Sequence, residues 1–285
     1  SETVTSNLLA GTAGNNAFAD NTFEKITIAT YAGNDTLVNT AKVVFIDASG
    51  GGANRIFNYS SDVTIVAGAG ADSIVNGRTV AEIMSLNNIT DADTDSKTKI
   101  TSAMAVYGNE ISINSGAGND SINALSDTVV YTPEGGTETT AKATHVYQFG
   151  PSDGNDTIWG FNDSDTVQIT NATATVTTDF DTTGNYFIKV NSAVLTLVLD
   201  DDFKKGSNLN LYQLDKDGTT YTKSTTITKV PQVLKGTTGA DGLDKLTNNA
   251  DDYAIDALSG NDAIKNIGAS NVSISGGAGN DTVYL

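Results

Sequence analysis

The sequence predicts an all-β protein, a parallel β-solenoid joined to a small antiparallel β segment. Three observations lead there. The composition favours strands and turns, one glycine-rich turn recurs at a fixed spacing, and apolar residues alternate on both sides of that turn.

The chain has 285 residues, 28 of them Gly, and its 34 acidic against 16 basic residues give a net charge of −18. Of the acids, 28 are Asp and 6 are Glu. Abundant Thr, Ser, Asn, Asp and Gly beside scarce Glu disfavours long helices and supplies turns. Asp next to Gly and Asn also points to short, rigid oxygen ligands for hard cations. The negative balance repels phosphate backbones and anionic bilayers, so neither nucleic acid nor a membrane surface is expected as a partner. Without cysteine there is no disulfide, thiolate metal site or Cys nucleophile. No apolar run reaches the ~18 residues that would span a bilayer. The opening "SETVTSNLLAG" lacks a basic-then-apolar leader and reads as a mature segment.

The turn recurs as "TYAGNDTLVN" from Thr30, "SGGGANRIFN" from Ser49, "AGAGADSIVN" from Ala67, "SGAGNDSINA" from Ser115, "PSDGNDTIWG" from Pro151, "GTTGADGLDK" from Gly236, "ALSGNDAIKN" from Ala257 and "GGAGNDTVYL" from Gly276, with a weaker first copy, "GTAGNNAFAD", from Gly11. Its key position is held by Asn16, Asp35, Asn54 and Asp72 at spacings of 19, 19 and 18 residues, and later by Asp262 and Asp281, again 19 apart. Two residues further on stands an apolar side chain: Phe18, Leu37, Ile56, Ile74, Ile122, Ile158, Leu243, Ile264 and Val283. Another apolar pair precedes most copies by seven and nine residues, as in Ile65 and Val63 or Ile113 and Ile111. The Asn54 copy uses Ile46 and Val44, one residue further away, which predicts a bulge in that coil. Strand, turn and strand repeating without a helix must stack, because one coil cannot bury its own apolar face.

A Gly-Gly-x-Gly-x-Asp turn directs carbonyl oxygens toward one point, and its Asp adds charge there. Stacking a second such turn gives about six hard oxygens, a set suited to Ca²⁺ and poorly suited to Zn²⁺ or copper. The candidate ligand positions are the side chains of Asn16, Asp35, Asn54, Asp72, Asp120, Asp156, Asp241, Asp262 and Asp281, with Asp153 beside Asp156. The turn backbone is expected to contribute around Gly33, Gly50, Gly52, Gly68, Gly70, Gly116, Gly118, Gly154, Gly239, Gly260, Gly277 and Gly279. Several calcium ions are expected as structural staples in place of disulfides, with folding coupled to their binding.

"GGAGNDTVYL" resembles the nonapeptide Gly-Gly-x-Gly-x-Asp-x-apolar-x of RTX, or hemolysin-type calcium-binding, proteins, and "HVYQFGPSDGNDTIWGFNDSDTVQI" is similar to the closing coil common in that family. The resemblance implies a parallel β-roll, calcium between successive turns of one edge, and export to a calcium-rich exterior, commonly by type I secretion. Two departures matter. The alternate edge reads "NTAK" from Asn39, "NYSSD" from Asn58 and "NIGAS" from Asn266, so a single ladder of ions is expected; and Asn16 and Asn54 remove charge from their turns.

Three regions are expected: a solenoid over 1–169 with an inserted loop and helix at 77–110, an antiparallel β-domain over 170–232, and the start of a second solenoid unit over 233–285. In the insertion a helix is predicted from Val80 to Leu86. "DADTDSKTKITS" fails as an EF-hand loop at Ser96 and Ser102 and is expected to be a solvated loop. "TPEGGTETTAK" reads as a hairpin turn, and Asp200, Asp201 and Asp202 as an exposed charge run. "LLAGTAGNNAF" from Leu8 aligns with "VLKGTTGADGL" from Val233 at an offset of 225, and later loops agree at 227, which predicts one unit plus the beginning of the next in a tandem array.

Catalytic groups are sparse. His145 is the single histidine and is expected to be structural; no Gly-x-Ser-x-Gly elbow, His-Glu-x-x-His helix or phosphate loop occurs. The sequence therefore predicts a non-enzymatic, calcium-stiffened module of a secreted cell-surface or matrix protein such as an S-layer, adhesin or filament, with copies of itself or neighbouring repeats, and surface glycan, as candidate partners. The alternatives are a glycan-binding or glycan-processing module, for which Asp163 and Asp165 are a carboxylate pair and Trp159 is the lone tryptophan, and a secretion module of a toxin or hydrolase.

Overall fold

The computed structural model describes residues 3–5, 7–90, 96–104, 106–125, 128–131, 139–181, 185–199, 209–224, 232–251 and 253–285. Each coil consists of a strand, a glycine turn, a second strand and a return turn, which starts at an asparagine in the coils of Asn39, Asn58 and Asn76. Strands Thr27–Ala29, Val44–Asp47, Val63–Val66, Ile111–Asn114, His145–Phe149 and Thr166–Ile169 pair in parallel as one sheet. Strands Thr36–Asn39, Arg55–Asn58, Ser73–Asn76, Ser121–Ala124 and Asn155–Phe161 form the other. Among the described residues no helix is long and apolar enough to cross a membrane.

Because strand residues alternate faces, every second side chain points between the sheets, and the 18- to 19-residue register places like upon like. One interior column runs Leu9, Ile28, Ile46, Ile65, Ile113, Tyr147, Val167 and Leu211; the facing one runs Leu37, Ile56, Ile74, Ile122, Ile158, Leu197 and Tyr186. All are buried, and they belong to one continuous core. Each buried isoleucine contributes about 1.5–3 kcal/mol by area, an amount no isolated coil could collect.

The extra residue of the Asn54 copy lies in the turn, not in a strand. Val44 to Asp47 pair residue for residue with Val63 to Val66, and Gly51, at φ 93°, absorbs the insertion.

Residues 170–232, expected as a separate domain, instead extend both sheets. Strand Ala193–Leu199 pairs in parallel with Asn155–Phe161 and carries the antiparallel strands Asn185–Val190 and Val176–Phe180. Strand Asn210–Leu214 continues the first sheet and ends in the antiparallel Tyr221–Lys223. The alternation that marks these as strands also supplies Tyr186, Ile188, Leu195 and Leu211, which close the core over the last coil. At the opposite end Thr3–Thr5 pairs antiparallel with Leu8–Ala10. Asp200 to Asp202 fall outside the described residues.

The insertion contains the predicted helix, α1 (Val80–Leu86), capped by Thr79 and Glu82 in a reciprocal box. It also contains α2 (Ser96–Met104), where a solvated loop was expected. Its Ile100 and Ala103 are buried against Ile83 and Ile89 in a separate small core, which also receives Ala141. Ala141 belongs to a hairpin of strands Thr128–Tyr131 and Thr139–Lys142, antiparallel as the "TPEGGTETTAK" turn requires; the turn itself lies outside the described residues.

The second stack repeats the first. Strands Gln232–Lys235, Tyr253–Asp256 and Ser273–Ser275 form one parallel sheet, and Thr247–Asn248, Ala263–Asn266 and Thr282–Tyr284 the other, around Leu246, Ile255, Ala257 and Ile264. Leu243 does not face this core: it is 39% exposed, and Leu246 takes its place because three additional residues separate the turn from the strand. Val283, in the last strand, is exposed as well.

The edge opposite the glycine turns is stitched by asparagine. Asn21 Nδ2 donates to Asn39 Oδ1 (2.7 Å), Asn39 to Asn58 (2.9 Å) and Asn58 to Asn76 (2.8 Å), while each remaining Nδ2–H serves a carbonyl of its own turn, those of Phe23, Ala41 and Ser60. The ladder ends against His145, fully buried between Asn76, the Gly108 carbonyl and Asp165, whose Oδ1 lies 3.1 Å from Nδ1. Asn248 and Asn266 repeat the contact in the second stack (2.9 Å).

Asn58→Ala strands the Asn39 amide and the Asn76 oxygen, and denaturant titration should show a loss of about 2–4 kcal/mol. Gly70 has φ 130° and its α-carbon faces the Gly52 carbonyl, so Gly70→Ala should cost more than about 2 kcal/mol. Gly14→Ala meets open space and should leave the melting temperature within a few degrees of wild type.

Candidate metal site

The glycine turns bring the key side chains into a single column. The backbone N–H of Asn16 donates to Asp35 Oδ1 (2.7 Å), that of Asp35 to Asn54 Oδ1 (3.0 Å), that of Asn54 to Asp72 Oδ1 (2.6 Å), that of Asp72 to Asp120 Oδ1 (2.7 Å) and that of Asp120 to Asp156 Oδ1 (2.9 Å). The second stack forms the same chain from Asp241 to Asp262 (2.8 Å) and from Asp262 to Asp281 (3.0 Å). One oxygen of each side chain is thereby pinned to the preceding coil. The glycines permit the approach: Gly52, Gly70, Gly118 and Gly154 lie each on the carbonyl of the preceding one, beginning at Gly33, where a Cβ would collide. Gly260 and Gly279 repeat this above Gly239, as do Gly68 and Gly116 in the outer part of the turn; Gly50 lies on the Tyr31 carbonyl, and Gly277 on that of Leu258. Tyr31 and Leu258 hold this outer position themselves in two copies and keep a positive φ (63° and 69°) despite their side chains.

The second oxygen distinguishes the rungs. Oδ2 of Asp35, Asp72, Asp120 and Asp262 is buried and has no hydrogen-bond partner. An unpartnered buried carboxylate oxygen is costly and calls for a cation or a proton. The two asparagine rungs show what stands around that position. Asn54 Nδ2 donates to the carbonyls of Gly52 (3.1 Å) and Ala67 (3.3 Å), and Asn16 Nδ2 to those of Gly14 (2.5 Å) and Thr30 (3.4 Å). By the repeat register, the corresponding carbonyls are those of Gly33 and Ala48 at Asp35, and of Gly70 and Ser115 at Asp72. A carboxylate oxygen among carbonyls, with no donor, is a hard-oxygen set that fits Ca²⁺. Among the described residues no three acidic or histidine side chains converge, so such a cation would rest chiefly on backbone oxygens.

At Asp153, Asp156 and Asp241 partners come from within the chain. Asp156 Oδ2 accepts the Ser115 hydroxyl at 2.9 Å. Asp153 stands outside the column and caps its own turn, its Oδ2 accepting the Gly150 N–H at 2.6 Å. Asp241 is held by Thr237 and by Lys245, whose Nζ is 2.8 Å from Oδ1. The Asp163 and Asp165 pair is divided, the first with Lys142 (2.6 Å) and the second with His145.

Burial raises Asp72 to about 6, against the opposing hydrogen bond from the Asn54 backbone. It raises Asp120 and Asp156 to about 7, the charges of Asp72 and Asp153 adding to the desolvation at Asp120 and those of Asp120 and Asp153 at Asp156. Asp153 is raised by the same cause. Sequence reasoning found the key column but not the serine, lysine and asparagine groups that satisfy parts of it; an Asn four residues after Asp35, Asn54, Asp72 and Asp262 was the available signal for the opposite ladder.

The sequence family described as RTX calcium-binding nonapeptide repeat (4 copies) matches residues 49–78, 152–168 and 268–285, which include the turns of Asn54, Asp72, Asp156 and Asp281. No curated protein matches the chain. Among solved structures, the extracellular lipase LipA from Serratia marcescens is similar at 12% identity and a TM-score of 0.27 over 70% of this chain, which spans 39% of the lipase. Three segments of the chain thus match the RTX calcium-binding nonapeptide repeat, and the parallel coils stack their turns one upon another.

Proposed function

We propose that the chain is a non-catalytic, calcium-stiffened building block of a repetitive secreted protein at a bacterial surface or in its matrix, of the S-layer, adhesin or filament kind. The observation that carries this reading is the set of buried Asp oxygens without partners, at Asp35, Asp72 and Asp120 in the first column and at Asp262 in the second. Calcium bound there would neutralise the column and join successive coils, so the rod would stiffen when it enters a calcium-rich medium. RTX repeats are typical of secreted proteins, and the type I route is the export path proposed here. The recurrence of the residue 8–58 coils in 233–285, strand for strand, supports a repetitive architecture with neighbouring units as partners. The absence of catalysis is supported by the burial of His145 and by the pairing of Asp163 and Asp165 to separate groups.

Two measurements bear on this. Chelation by EDTA should collapse the β-type circular dichroism or lower the melting temperature by ten degrees or more, with recovery on adding Ca²⁺ and little on adding Mg²⁺; unchanged melting in chelator would remove calcium from the account. The pH response should also invert. The raised Asp72, Asp120 and Asp156 favour the protonated folded state, so stability without calcium is full below about pH 4 and declines as pH rises through about 6 to 7. With saturating calcium the decline should vanish, because the ion replaces the protons; melting curves in EDTA and in calcium from pH 4 to 8 report both slopes.

A further inference from the structure

The rung at Asp241 is built differently from the other Asp rungs. At Asp35, Asp72 and Asp262 the ladder Asn follows the key residue by four positions, as Asn39, Asn76 and Asn266, but Asn248 follows Asp241 by seven. The three additional residues form a turn in which the Lys245 N–H returns to the Gly242 carbonyl at 3.1 Å. That turn exposes Leu243, inserts Leu246 into the core and brings Lys245 back over Asp241. At the regular rungs the residue four places on is the ladder Asn of the far edge, committed to its neighbours, and cannot return.

From this geometry we infer that Lys245 is a tethered substitute for calcium: its ammonium closes the first rung of the second stack, which therefore folds without an ion. The inference rests on the calcium reading of the column. Asp241 is buried, and both its oxygens are satisfied, Oδ1 by Lys245 Nζ at 2.8 Å and Oδ2 by the Thr237 N–H at 2.5 Å and hydroxyl at 3.0 Å. Its equivalent one coil later, Asp262, has the same backbone ladder but an unpartnered Oδ2. The asparagine rungs set the precedent within the same chain: an N–H donor among turn carbonyls replaces a cation at Asn54 and Asn16. Lysine improves on the amide because it also cancels the carboxylate charge. The second stack thus begins on a rung independent of calcium, upon which the Asp262 coil can be laid once the ion arrives.

The test is to count bound calcium by equilibrium dialysis or calorimetric titration on the full chain, for wild type, Lys245→Gln and Lys245→Arg, each checked by circular dichroism. Lys245→Gln should bind one more equivalent of Ca²⁺ than wild type, melt lower in EDTA and recover the difference in calcium; Lys245→Arg should keep the wild-type count. A folded Lys245→Gln chain binding the wild-type number overturns the inference, and so does one that calcium cannot fold. A wild-type chain that binds no calcium at all would sink the proposed function as well, whereas the first two results sink only the role of Lys245.

Discussion

The fold turns on the neutralisation of a buried column of carboxylates. Parallel coils lie about 4.8 Å apart, and two unit charges at that distance repel by about 3 kcal/mol even at an effective dielectric near 20. The Asp side chains cannot relieve this by swinging outward, because Oδ1 of each is held by the backbone N–H of the coil before it. What remains is to protonate, to substitute an amide or ammonium, or to bind a cation. Different rungs of this chain adopt different answers. Asn16 and Asn54 use the amide, Asp156 a serine hydroxyl, Asp241 a lysine, and the others leave a carboxylate oxygen open.

The two edges of the coil solve the same backbone problem with opposite chemistry. On the asparagine edge the amides of Asn21, Asn39, Asn58 and Asn76 donate and accept in one continuous line, so these side chains are satisfied by protein alone without an ion. On the glycine edge, amides meet the turn carbonyls only at Asn16 and Asn54, and the carboxylates of Asp35, Asp72, Asp120 and Asp262 keep a buried oxygen without a partner. Between them the isoleucine columns supply the burial that neither edge can. The unsatisfied oxygens are therefore confined to one side of the coil.

Much of this was written legibly in the sequence. The turn register and the interior isoleucines follow from spacing alone, since glycine at a contact with the carbonyl below and Asp at the ladder leave few alternatives. The misreadings have physical causes. Helix α2 is stabilised by Ile100 and Ala103 packing onto Ile83 and Ile89 in a core that also takes Ala141, from a separate insertion, and its own sequence is mostly polar. The strands of 170–232 looked autonomous because antiparallel pairing alternates as a free sheet does; only their attachment to Asn155–Phe161 and Thr166–Ile169 reveals the shared core. Leu243 was assigned inward by counting two from Asp241, and the seven-residue gap to Asn248, readable once the asparagine ladder is known, moves that role to Leu246.

Both long excursions of the first stack, the helical one at 77–110 and the hairpin at 125–144, leave from the asparagine edge and return to it. The glycine edge is left unbroken from Asn16 to Asp156. Ornament and spine are thereby kept apart. New lobes can be added, swapped or lost along one flank of such a stack without moving a single turn on the other, so that flank is free to diversify while the glycine seam stays constant.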